Sequence, residues 1–134
     1  MSALDRSSMP QSPDSPDRMT GMVPGVRAGG FLFLSAIRGR DPKGHSMPDD
    51  PLEQARRALQ NLEAVLKASG ATLKHVVKVT LYLHDLEKRN AFHQAWMEYF
   101  PEDPPARIAV CVADANAAPG GKAHYALDVI ALAP

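Results

Sequence analysis

Apolar residues recur along this chain with two different periods, which predict strands and helices in alternation. Alternating or continuous apolar runs predict strands at 22–28, 31–37, 72–83, 104–112 and 122–132. Gly29-Gly30, between the first two runs, is typical of a hairpin turn. A further turn is predicted at 116–121.

Two segments have a helical period instead. The first begins at Asp50, which can cap a helix, with Pro51 at the first position and Glu53 able to complete a capping box. Gly70 ends it. Its apolar stripe comprises Leu52, Ala55, Leu59, Leu62, Val65 and Leu66.

The second helix is predicted from Asp85 to about Phe100, where Pro101 follows. Phe92, Trp96 and Tyr99 share its inner face. A tryptophan at helical spacing with other aromatic residues is more typical of a core than of a ligand platform. We therefore expect Trp96 to be a core residue.

The resulting order, ββαβαββ, predicts an α+β fold in which two helices lie on one face of a single mixed sheet. Two helices cannot cover both faces. Packing of the uncovered faces in a homo-oligomer is the simplest solution. Residues 1–20 are rich in Ser, Pro, Asp and Met and are predicted to be a disordered tail, which leaves 21–134 as one domain.

Composition narrows the possible functions. The 15 basic and 15 acidic residues cancel, so no electrostatic footprint for nucleic acid or an anionic membrane is present. A single cysteine excludes an internal disulfide and a zinc site of paired cysteines. The five histidines are scattered, and we predict no metal site. Without a signal-like or membrane-spanning run, the sequence is typical of a cytoplasmic protein.

The strand within 104–112 contains the first candidate site residue, Arg107. Alternation places Ile108 and Val110 on one face, which we expect to pack under the helices, and Arg107, Ala109 and Cys111 on the other. A guanidinium above small residues suits a carboxylate ligand. The alternative, favoured on these residues alone, is a surface arginine that points into water.

Asp128 is the second candidate, because a carboxylate inside an apolar strand needs a partner. If Arg107 and Asp128 share a face of neighbouring strands, they could form a structural ion pair. Alternatively, Arg107 could hold a substrate carboxylate while Asp128 orients or deprotonates a water. Spacing does not choose between these. Cys111 could be a nucleophile, but a small buried side chain is the favoured interpretation.

These motifs together resemble the RidA (YjgF/YER057c/UK114) family, also described as L-PSP endoribonucleases. The resemblance covers roughly residues 22–133 and implies a chorismate-mutase-like fold and a homotrimer with clefts between subunits. The matching segments are Asp41-Pro42-Lys43-Gly44, Gln54-Ala55-Arg56, Asn61-Leu62, Val77-Lys78-Val79-Thr80, Asp85-Leu86, Pro105-Ala106-Arg107 and Leu127-Asp128-Val129-Ile130-Ala131.

The resemblance implies a hydrolase that converts reactive enamines or imines to 2-keto acids and ammonia without a cofactor. Arg107 would bind the substrate carboxylate, and Asp128 would replace the water-positioning glutamate. Ala109 and Cys111 would line the site.

Many members have tyrosine where this chain has Met22, and Ser-Gly-Gln where it has Ser35-Ala36-Ile37. These departures favour a larger or less polar enamine. An endoribonuclease and a non-catalytic ligand-binding or chaperone-like protein are the alternatives.

Overall fold

The strands and helices follow the predicted order, with one additional strand before them, in the structure, a computed structural model that describes residues 4–44, 46–115 and 122–134. The predicted turn at 116–121 and His45 lie outside these residues. The strands are β1 (Arg6–Ser8), β2 (Gly25–Ala28), β3 (Phe31–Leu34), β4 (Val76–Leu83), β5 (Ala106–Cys111) and β6 (Tyr125–Leu132). The helices are α1 (Pro51–Ala68) and α2 (Arg89–Tyr99).

The strands form one mixed sheet in the order β1-β2-β3-β6-β4-β5. Strands β4 and β5 are parallel, and the other neighbours are antiparallel. The α+β class and the chorismate-mutase-like arrangement of a mixed sheet with two helices are confirmed. Strand β4 begins later than predicted because Leu73–His75 form a 3-10 turn capped by Thr72.

Helix α1 begins where its sequence predicts. The Asp50 carboxylate accepts a hydrogen bond from the Glu53 amide at 3.0 Å, and the predicted stripe is buried apart from Leu52, which is partly buried. The Glu53 carboxylate pairs with Arg56 at 2.7 Å rather than turning back to the helix start. The cap therefore rests on Asp50 alone.

One face of the sheet packs against both helices and forms the core. Val79, Leu81 and Leu83 of β4 are buried there, next to the alternate residues of β6 from Tyr125 to Ala131. Trp96 is also buried and contacts Phe92 and Phe100. The prediction that Trp96 is a core residue is confirmed.

In place of the disordered tail predicted over residues 1–20, the described part of this segment, from residue 4, lies along the sheet. Strand β1 pairs with β2, and the Met9 side chain is buried against Gly25. Short polar residues follow, of which Ser12 and Ser15 are buried. This segment supplies part of a cavity wall described below.

The predicted orientation of β5 is wrong. Arg107 pairs with buried Val79, so Arg107, Ala109 and Cys111 lie on the helix side of the sheet. Ile108 and Val110 lie on the opposite face, which no helix covers, and are exposed. We call that opposite side the open face.

The open face is largely apolar. Besides Ile108 and Val110, it exposes Phe31, Phe33 and Leu132. The alternate β6 residues Ala126, Asp128 and Ile130 also lie on this face, as the parity of the strand predicts. Burial of these apolar side chains requires atoms from outside this chain.

Two buried amides of α1 hold the loops around the sheet. Asn61 donates to the carbonyls of Arg38 and Arg40, each at 2.8 Å. Gln54 donates to the Pro48 and Lys122 carbonyls and accepts from the His124 amide. Both residues belong to the motifs that carry the family resemblance, and their role in this structure is to position loops.

Candidate functional site

Arg107 lies at the start of the edge strand β5 with its guanidinium fixed by α2. The guanidinium carbon stands 4.7 Å from the centroid of the Trp96 ring, a cation–π geometry. Nη2 of Arg107 donates a hydrogen bond to Nδ1 of His93 at 3.1 Å. Arg107 is exposed in the single chain, as the interpretation of a surface arginine predicts. Its contacts with Trp96 and His93 nevertheless hold the side chain against α2.

The electrostatics around Arg107 favour an anion. Partial burial lowers the pKa of its guanidinium, and the neighbouring charge of Arg89 lowers that pKa further. Among the described residues, no carboxylate forms an ion pair with Arg107. A carboxylate ligand would therefore meet a preoriented, incompletely neutralised fork of donors.

Asp128 does not approach Arg107 within one chain. Strand β4 separates β5 from β6, and Asp128 shares the open face with Thr80 and Ile108, whereas Arg107 lies on the helix side. The hypothesis that Arg107 and Asp128 form an ion pair on neighbouring strands is wrong for the single chain. The two side chains can meet only if different copies of the chain supply them.

Asp128 lines a cavity of about 400 Å³ at the open face, which we call the sheet-face cavity. Tyr82, Ala126, Asp114 and Arg38 are also in its wall. The cavity therefore combines two carboxylates, a phenol and a guanidinium. It reaches Val112, which is five residues beyond Arg107 and thus roughly 16 Å further along β5.

A second cavity, of about 480 Å³, contains Met22 and Ile37, the residues that replace the tyrosine and glutamine of many relatives. Three arginines, Arg18, Arg38 and Arg40, also line it, and we call it the arginine cavity. Ala36 and Arg38 belong to the walls of both cavities. Ile37 itself is buried and bridges to Leu127 through two backbone hydrogen bonds.

Ala109 and Cys111 lie on β5 beyond Arg107, on the helix side and away from both cavities. Cys111 is exposed, with its sulfur 3.6 Å from the His84 carbonyl oxygen. The expectation of a small buried cysteine is therefore wrong for the single chain. The reason is the edge position of β5, beyond which the described part of the chain places no further strand.

Sequence reasoning missed several residues of these sites. Asp114 and Tyr82 gave no local signal, and His93 was recognised only as one of the scattered histidines. Arg38-Gly39-Arg40 was assigned to a loop without a role. Two arginines flanking a glycine directly after a buried strand could have indicated a charged cavity wall.

Neither a candidate metal cluster nor a membrane-spanning helix is present in the described part of the chain. Residues 4–44, 46–115 and 122–134 contain no group of three or more His, Cys, Asp or Glu side chains placed to hold a metal ion. Within the same ranges, no helix has the length and apolar character needed to cross a membrane.

Comparison with known proteins identifies relatives of this arrangement. The family model for endoribonuclease L-PSP matches residues 12–123. A RutC family protein of Pyrococcus horikoshii is 41% identical over 86 residues, which are 63% of this chain and 68% of that protein. A 2-iminobutanoate/2-iminopropanoate deaminase of Capra hircus is 36% identical over 83 residues, 61% of each chain.

The fold has relatives among solved structures as well. The crystal structure of RidA from the Antarctic bacterium Psychrobacter sp. PAMC 21119 superposes with a TM-score of 0.84 at 25% identity. The superposition covers 94% of this chain and 99% of that one. The likeness therefore extends over most of the chain.

Proposed function

This chain belongs to the endoribonuclease L-PSP family, which includes the RidA proteins, and from that premise we propose that it is an enamine/imine deaminase. Its substrate would be a small 2-imino or enamino carboxylate, and its products a keto acid and ammonia. The observation that carries this proposal is the guanidinium of Arg107, held by Trp96 and His93 with donors left over for a carboxylate.

The reaction makes modest chemical demands. An enamine first takes a proton on carbon and gives one up from nitrogen, which yields the imine. Water then adds its oxygen to the C=N carbon and loses a proton, while the nitrogen gains one. In the resulting carbinolamine the hydroxyl gives its proton to the nitrogen, the C–N bond breaks, and the keto acid and ammonia leave. Because the imine carbon is already electrophilic, the protein needs only to orient the substrate, neutralise its carboxylate and place a water.

In this proposal Arg107 binds the substrate carboxylate, and a carboxylate of the sheet-face cavity orients the water. Asp128 is the first candidate for that second role, and Asp114 in the same wall is the other. Met22 and Ile37 would shape the space for the remainder of the substrate. Ala109 and Cys111 would contribute the neighbouring edge of β5.

We further propose that the site forms between subunits of a homotrimer. Arg107 and Asp128 lie on opposite faces of one sheet, so a site that uses both must draw them from two copies. The apolar open face supports this, since Phe33, Ile108 and Leu132 would be buried by packing against other copies.

The test is ammonia release from an imino acid generated in situ by an amino-acid oxidase. Removing the guanidinium in Arg107→Ala eliminates charge-assisted hydrogen bonds of about 1.5–3 kcal/mol, so kcat/KM should fall roughly 10- to 100-fold. Arg27→Gln is the matched control, because Arg27 is exposed and, among the described residues, its side chain bonds only the Pro134 carbonyl. Equal rates for wild type and Arg107→Ala would refute the proposal.

Comparing Asp128→Asn with Asp114→Asn assigns the water-orienting group. Each substitution keeps the side chain's size and removes its charge. The variant that lowers kcat with little change in KM identifies the residue. If both variants keep the full kcat, neither carboxylate has this role.

A further inference from the structure

The arginine cavity concentrates positive charge in a confined space. Three guanidinium groups, from Arg18, Arg38 and Arg40, share its wall with a single carboxylate, that of Asp17. The rest of the wall is apolar or amide in character, including Met22, Ile37 and Asn61. Such a surplus of charge is unusual in a chain whose overall net charge is zero.

Two of these arginines are held at the cavity by hydrogen bonds from their guanidinium groups to main-chain carbonyls. Arg18 donates from Nη1 to the Ala36 carbonyl at 2.7 Å, and Arg38 donates from Nε to the Ala115 carbonyl at 2.8 Å. Each of these bonds uses one donor of a five-donor fork. The remaining N–H groups are available at the cavity shared by both residues.

The arginines also repel one another. Burial lowers the pKa of both Arg18 and Arg38, and the neighbouring charge of Arg38 lowers that of Arg18 further. For Arg38, Arg40 adds to the lowering while Asp114 opposes it. Within the described ranges, Arg18 and Arg40 have no carboxylate at ion-pairing distance. A bound anion would relieve this repulsion.

Main-chain bonds fix the spacing of Arg38 and Arg40. Asn61 holds the carbonyls of both residues, and Gly39 between them passes so close to α1 that a Cβ would collide with the Gln54 carbonyl. The positions of the two arginines are therefore set by the helix, which is the preorganisation that an anion site requires.

We propose that the arginine cavity binds an oxyanion. Arg107 does not line this cavity in the single chain, so in the homotrimer proposed above the cavity of one copy would face Arg107 of another, and the ligand would carry a second anionic group besides the carboxylate assigned to Arg107. The ligand class is a small metabolite with two anionic ends, either a dicarboxylate or a phosphorylated carboxylate. The existence of the oxyanion site is independent of the proposed function. The statement about the substrate, in contrast, rests on the proposed deaminase function.

Binding is tested first, without turnover, by calorimetric titration of the full chain with inorganic phosphate and separately with malonate at matched ionic strength. The background is Arg107→Ala, which removes the other proposed anion site. We expect saturable binding that Arg40→Gln weakens roughly 10- to 100-fold, the loss of one charge-assisted bond pair. Arg40 is the site of choice because no side-chain bond of the described residues depends on it, so the variant should fold.

The control is Arg27→Gln, an equal change of charge outside the cavity. Unchanged binding in this variant supports the site, and stronger binding of phosphate or of malonate identifies the anion. Absence of saturable binding, or an equal loss in Arg27→Gln and Arg40→Gln, overturns the proposal because the arginines would then serve only the loop carbonyls.

The second arm concerns the substrate. Imines generated from aspartate and from alanine differ by one carboxylate. If the cavity holds that group, Arg40→Gln lowers kcat/KM for the aspartate-derived imine at least tenfold and leaves the alanine-derived imine nearly unchanged. An equal effect on both imines overturns the substrate assignment. Failure to turn over either imine, with anion binding intact, refutes the deaminase proposal and leaves the oxyanion site standing.

Discussion

The helix side and the open face of the sheet are both rich in apolar side chains, yet they differ in what covers them. On the helix side, Leu81 and Val129 are excluded from solvent. On the open face, Phe33 and Ile108 are 45% and 51% exposed. The same strands supply both sets by alternation, so the helices cover one face, while the other is left exposed by the described residues.

The largest expected effect is on the helix side. Leu81→Ala leaves a cavity under α1 and α2 and should reduce the free energy of unfolding by about 2–5 kcal/mol. Chemical denaturation at several protein concentrations measures it, and the loss should not depend on concentration. Phe33→Ala, on the open face, should cost the isolated chain far less. Similar losses of unfolding free energy in Leu81→Ala and Phe33→Ala at every protein concentration would contradict the difference between the faces.

The next effect concerns assembly. Ile108→Asp places a charge among the apolar residues of the open face and should weaken subunit association at least tenfold, because an interface core tolerates an unpaired charge poorly. Sedimentation velocity gives the mass distribution. Met97→Asp on α2 is the matched control, since Met97 is 49% exposed and lies away from this face. If both variants associate like wild type, the open face is not the interface.

A smaller effect is expected from His93, a positioning residue that holds Arg107. His93→Ala removes one hydrogen bond to the guanidinium and should lower kcat/KM roughly 3- to 10-fold, mainly through KM. His93→Asn retains an acceptor and should restore most of the loss. If His93→Asn is as impaired as His93→Ala, the effect comes from packing and not from the hydrogen bond.

The smallest effect on stability is expected from an ion pair on the outer surface of the helices, which lies away from both faces of the sheet. Arg56 bonds Glu98 at 2.7 Å, and this hydrogen bond lowers the pKa of the Glu98 carboxyl. Because the pKa of the Glu98 carboxyl is lower in the folded state, this interaction stabilises the protein at pH values above the unfolded pKa. The stabilisation is lost as the pH falls through the folded pKa. Glu98→Gln should therefore reduce stability slightly at neutral pH.

The matched control for this prediction is Glu102→Gln, an exposed glutamate for which the described residues supply no ion pair. In urea unfolding, the difference between wild type and Glu98→Gln should shrink on acidification, while the control shows little difference at either pH. A difference that persists in acid would exclude the ion pair as its cause.

The order of the elements was predictable from sequence because it depends on local signals. Asp50 and Pro51 set the start of α1 through local contacts that do not depend on what the helix packs against. The alternation in β6 placed Asp128 correctly on the open face. The facing of β5 was not predictable. Its register against β4 decides which side Arg107 takes, and Ile108 and Val110 resembled core residues because the open face is itself apolar.

The candidate site was predictable only in part, for a related reason. Arg107 was identified from its strand, but its contacts with Trp96 and His93 arise from the packing of α2 beside an edge strand. The charged cavity wall combines Arg18 with Arg38 and Arg40 across the chain. The first of these lies in a segment whose composition predicted a tail, so no local pattern joined it to the others.

The clamp from Asn61 has a consequence for engineering this protein. It grips main-chain carbonyls, and so it is indifferent to the identity of the side chains at positions 38 and 40. Those two positions should accept variation while their main chain keeps its path, provided that Gly39 is retained, although replacing Arg38 also removes its bond to the Ala115 carbonyl. A combinatorial library at the two sites would thus offer a way to retune ligand preference without rebuilding the scaffold.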